Sequence, residues 1–172
     1  MASEALGRIL DVALGSVPVD TSAAATTGKR VSLTDCAGVT VVVVKAAGGS
    51  GESPTLTLKQ HTVSTGGSPV NLAIIDHYYL KSATTLAGTE QWTKVTQAAA
   101  ATITDPGAAG TSGQSQQIIA FEVPATSLSD TYKYISVDQA DVGSTAQYAT
   151  VLYIRRDLKV ARSPEKLAAS LA

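Results

Sequence analysis

From about residue 29 to residue 156 the chain is written in short runs of Val, Ile, Thr and Tyr separated by Gly, Ser and Pro, the pattern of strands and turns. Residues 55–63 alternate, with Leu56 and Leu58 to one side and Thr57, Lys59 and His61 to the other, which predicts a strand with one buried face. Residues 39–45 break that rule. Val stands on both faces there, predicting a strand buried on two sides or lying centrally in a sheet. Ile119, Phe121 and Val123 share one face of a strand over residues 118–123. Further strands are expected over 29–33, 89–96, 100–104, 132–137 and 147–154, while 70–81 fits a strand or a helix equally well. Turns are expected at 35–38, 48–51, 66–69 and 138–144, a single helical turn at 124–130, and a long Gly, Ala, Ser and Gln loop at 105–117. About eight strands at this spacing predict an all-β body, a β-sandwich or jelly roll.

The pattern changes at both ends. Leu6, Ile9, Leu10, Ala13 and Leu14 recur at i, i+3, i+4 spacing and predict a helix over 3–14, capped by Ser3, with Glu4 at its positive end and Gly15 and Pro18 stopping it. A helix that short is marginal alone in water, so the stripe of Leu6, Ile9, Leu10 and Leu14 must bury against its own body or a neighbour. Residues 19–28 read as a linker able to reach about 30 Å when extended. At the other end Ser163 as cap, Pro164 at the first helical position and Glu165 beside it predict a short helix with Leu167 and Leu171 on one stripe. The expected organisation is an N-terminal helix and linker arm over 1–28, a β-sandwich domain over 29–156 and a C-terminal helical arm over 157–172.

Composition narrows the partners. Of the 172 residues 44% are hydrophobic and 16% charged, against about 25% charged in an average soluble domain, so long disorder is not expected. A net charge of −1 supplies no concentrated positive field, which argues against nucleic acid. The aliphatic run at 39–44 is too short to span a bilayer, and the first residues lack the basic and apolar regions of a secretion signal, so a soluble chain made in a cytoplasm is expected, with no membrane partner.

Candidate chemistry is sparse. The lone Cys36 sits in a turn with no adjacent His or basic residue and reads as a small filler rather than a reactive thiol. His61 reads as a solvated surface residue. Asp76 and His77 could form an orienting pair, but neighbours on a strand point to opposite faces, so their side chains are not expected to meet. Asp138 and Asp141 flank a turn, where capping is a commoner role than calcium binding. Arg155 and Arg156, with Lys159 and Arg162, form the one basic cluster; Asp157 interrupts it and no aromatic platform accompanies it, so a contact to acidic groups of a partner or a solvated strand end is expected. No nucleophile turn, phosphate loop or zinc-protease motif is present, and neither an enzyme nor a cofactor or metal is expected.

Several segments resemble one family. Val31 to Leu33 running to Val39 through Val43, the stretch Pro54-Thr55-Leu56-Thr57-Leu58-Lys59-Gln60, Trp92 to Thr96, Thr102 to Thr104, Ile119 to Val123, and above all Ala140-Asp141-Val142-Gly143-Ser144-Thr145-Ala146 running into Val151 to Ile154 look like small virion proteins of tailed bacteriophages. The resemblance covers about residues 29 to 156 and leaves the arms outside. It implies a non-enzymatic structural protein of the particle, foremost a decoration or cement protein on the outside of the head. The partners it implies are the major capsid protein and further copies of the chain in a homo-oligomer such as a trimer. Leu6, Ile9, Leu10, Leu14, Leu167 and Leu171 are the expected apolar contacts and Arg155, Arg156 and Arg162 the charged ones. A tail, baseplate or head–tail junction part is the alternative. A glycan-binding sandwich using Trp92, Tyr78 and Tyr79 is a third reading, less favoured than core or interface packing of those rings.

Overall fold

A computed structural model describes residues 4–104 and 112–169. Its elements in chain order are β1 (Leu10–Asp20), β2 (Val31–Ser32), β3 (Gly38–Lys45), β4 (Leu56–His61), β5 (Val70–Asn71), β6 (Ile75–Ala83), β7 (Thr93–Ala100), β8 (Thr102–Ile103), β9 (Gln116–Pro124), β10 (Tyr134–Gln139) and β11 (Tyr148–Arg156). Two single 3-10 turns, Ala125–Ser127 and Pro164–Lys166, are the other regular elements among the described residues. The strands form two antiparallel sheets. The larger runs β1-β11-β3-β9-β6-β7; the smaller runs β2-β10-β4-β5, with β8 taking up the far edge of β4 beside β5. They pack face to face without closing into a barrel.

Alternation places the core. Val39, Val41 and Val43 of β3, Ile119, Phe121 and Val123 of β9, and Val151 and Tyr153 of β11 point from the large sheet toward Leu56 and Leu58 of β4 and Ile135 and Val137 of β10. Tyr153 ties the layers together. Its hydroxyl accepts the Val137 N–H at 2.9 Å and donates to the Lys29 carbonyl at 3.1 Å, with the ring fully buried. Tyr153→Phe keeps the ring but leaves both backbone groups unsatisfied inside the protein. A loss of about 1–3 kcal/mol is expected in a urea unfolding curve.

The helical arms do not form. No helix of seven or more residues occurs among the described residues, and the expected N-terminal helix is replaced by the edge strand β1, paired with β11 from Leu10↔Arg156 to Asp20↔Tyr148. The same residues satisfy both periodicities: read in twos, Asp11, Ala13 and Gly15 turn inward and Leu10, Val12 and Leu14 outward. Tertiary pairing decides between them, because the exposed edge of β11 offers a full ladder whereas an isolated short helix has only its own bonds. Gly15 also fits the strand: a Cβ there would lie 2.7 Å from Val151 Cγ1 and 2.8 Å from the Tyr153 ring. At the other end, Pro164–Lys166 makes one 3-10 turn, the Ser163 side chain caps nothing, and Leu167 is already extended. The expected cap Ser3, the stripe residue Leu171 and the loop portion 105–111 lie outside the described residues.

Candidate functional site

Every strand from β1 to β9 across the large sheet carries an apolar run that alternation splits between two faces, and among the described residues only one face is covered. On the side away from the small sheet, register builds a row Leu14–Leu152–Val42–Ala120–Tyr79 across five strands. Val12 and Ile154 extend it toward one strand end, Val44 and Ile118 toward the other. Val12 is 50% exposed, Val44 38% and Tyr79 38%, and Leu14, Val42, Ala120 and Leu152 are half-buried. Four strands at 4.8 Å spacing and about six residues of each give roughly 400 Å² of apolar face, within the range of the largest patches on monomers, which are often functional.

The face has a polar end and a socket. At the polar end Arg156 Nε binds Glu122 at 2.8 Å, Arg156 Nη1 binds Asp157 at 3.2 Å, and Thr40 donates to Glu122 at 2.7 Å. At the opposite end a hollow of about 330 Å³ opens among Pro18, Val44, Leu86, Tyr148 and Thr150. Tyr148, 56% exposed, stands on its rim. On the β6 side the border is Trp92, whose ring lies 5.1 Å beneath Lys81 Nζ. Tyr79 faces the same side, whereas Tyr78 is buried in the core, so the three aromatic rings are not gathered into one platform.

The sequence-predicted residues scatter. Leu10 and Leu14 lie on the uncovered face as part of β1. Leu6 and Ile9 are exposed just before it, where the Gly7 and Ile9 carbonyls accept the N–H groups of Arg162 and Leu158, strapping the two terminal segments together. Leu167 joins Arg155, Arg162, Leu158 and Val160 around a small cleft. Arg155 is not a surface cation: it is 5% exposed, points inward and pairs with Asp11 at 3.1 Å. Arg156 is engaged by Glu122 and Asp157, leaving Arg162 the exposed member of the three. Val12, Val42, Val44, Leu152 and Ile154 were not expected at a contact surface. The signal was the two-sided run at 39–45, which read as burial.

Two histidines also depart from expectation. His61 is 4% exposed, with its Nε2 2.8 Å from Ser136 Oγ on β10, and Arg30 nearby donates to the Val63 carbonyl at 2.8 Å. Burial, with Arg30 adding to it, holds its pKa down to about 4. The unfolded chain takes up a proton below its ordinary pKa of 6.5 that the folded chain refuses until about 4. Stability therefore falls as pH drops through that window, by about 2–3 kcal/mol in total. Denaturation midpoints between pH 7 and 4 are expected to show this slope, and His61→Gln to flatten it. His77 and Asp76 do meet, Nδ1 to Oδ1 at 2.6 Å, where the β6–β7 register shifts between Ile75 and His77 and the regular pleat is lost. The pair is exposed on β6, with the His77 ring edge-on to Tyr79.

Other polar groups hold loops. Lys45, at the inward end of β3, donates to the carbonyls of Ser112 at 2.8 Å and Ser115 at 2.9 Å. Glu52 accepts the Ser144 and Thr145 N–H groups, which hold its carboxyl below the usual range. Asp138 binds Lys59 at 2.7 Å and the Gly28 N–H, and Asp141 stands apart in solvent. Cys36 is buried, which pushes its thiol up. Among the described residues no group of three or more His, Cys, Asp or Glu side chains is placed to hold a metal ion. The chain matches no protein-family model, no curated protein and no solved structure.

Proposed function

We propose that this chain is a non-enzymatic structural protein of a tailed-bacteriophage virion, foremost a decoration or cement protein seated on the outside of the head. The observation that carries the reading is the uncovered side of the large sheet. β3 reads as a strand meant for burial on both sides, and the described residues supply only one covering layer, so Val42 and Val44 are open to another. A continuous apolar face with a hollow beside it suits a lasting contact with a protein neighbour better than a small-molecule reaction. The resemblance of residues 29 to 156 to small virion proteins supplies the neighbour: the major capsid protein, with further copies of the chain.

Cement acts through multivalency. Each copy contributes a modest contact, and copies held together on the shell bind again at high effective concentration, tying adjacent capsomers against internal pressure. Leu10 and Leu14 contribute to this contact from β1. Heads assembled without the chain are expected to rupture at a lower temperature. Wild-type protein added back should restore them, and Leu10→Asp should not. Heads equally robust with and without the chain would remove the cement reading.

A further inference from the structure

One end of the sandwich carries a cleft of about 410 Å³ that the reading above does not use. Its floor is apolar: Leu33 and Cys36 are buried, and Ala125 of the 3-10 turn and Leu128 just after it pack against the core. Tyr132 forms one wall. Two cations stand at the mouth. Lys159 Nζ donates to the Thr34 carbonyl at 2.6 Å, and the exposed Lys133 side chain has no ion pair among the described residues. The volume falls in the range of small-ligand sites, which pair an apolar lining with a few fixed polar groups.

We propose that this cleft binds a small carboxylate-bearing amphiphile, its apolar body on Leu33, Ala125 and Leu128 and its carboxylate between Lys133 and Lys159. Charge selects the head group: two ammonium groups beside an apolar floor favour a carboxylate over an alcohol and repel an amine. The floor selects the body, since each methylene laid on it leaves water. The proposal does not rest on the virion reading, because it concerns the isolated chain and residues other than those of the uncovered face.

Titration calorimetry of the full chain with hexanoate, octanoate and decanoate tests it. Affinity is expected to rise about twofold to fourfold per added methylene, the upper figure being that of full burial. Decanol is expected to bind more weakly than decanoate, and decylamine not at all. Lys133→Glu, at an exposed position, should weaken decanoate about tenfold, the size of one charge-assisted contact. Thr126→Trp should fill the mouth and abolish binding with the fold intact by circular dichroism. No saturable decanoate binding, binding indifferent to head group, or binding unchanged in both variants would overturn the proposal. So would a cleft that rejects the whole series while Lys133 becomes shielded from acetylation on the assembled particle, which would assign it to an acidic segment of a neighbouring chain.

Discussion

Leu152→Lys is expected to leave the sandwich folded and to cost attachment to the particle at least about 30-fold per contact, the scale of a central interface residue. Leu152 sits between Leu14 and Val42 in the middle of the uncovered row, so a charge there must be desolvated when a partner covers the sheet. Where several copies bind as a cluster the losses multiply, and retention on the particle should fall to background. The fold should tolerate the change, because Leu152 lies outside the buried core cluster. Co-sedimentation of the purified variant with heads lacking the chain, beside an unfolding curve, separates the two effects. Undiminished binding by a folded Leu152→Lys protein would exclude this face as the contact.

The largest loss of stability is expected from Asp11→Ala, about 3–5 kcal/mol, because it strands the Arg155 guanidinium inside the protein. Asp11 and Arg155 are 8% and 5% exposed, and Arg155 Nε already lacks a hydrogen-bond partner among the described residues, so the loss of the carboxylate leaves a buried cation poorly compensated. The pair also fastens β1 to β11, so its loss should free the edge strand. Replacing both partners with apolar residues, Asp11→Leu with Arg155→Leu, is expected to recover most of the loss, since two absent charges need no solvation. Chemical denaturation of the single and double variants checks both statements. A double variant as unstable as Asp11→Ala would show that the charge is not the cause.

The two layers were legible because strand patterning is local: Leu56 and Leu58, or Ile119, Phe121 and Val123, declare a face within a few residues. The ends were not, because residues 10–14 carry both periodicities at once and the deciding partner, β11, lies about 140 residues away. Distance hid the polar groups too. Arg155 meets Asp11, and His61 meets Ser136, through contacts that no spacing announces. The candidate face was half legible. Val on both sides of β3 was visible, but that no described residues form a layer over the second side emerges only when β1, β11, β3 and β9 stand side by side.

The most direct measurement of the central claim separates the heads and tails of the parent particle and quantifies this chain in each by mass spectrometry against the major shell protein. A decoration protein is predicted to be abundant in heads, at a copy number commensurate with the shell. Recovery only in tails, in a handful of copies, or in neither fraction would contradict it.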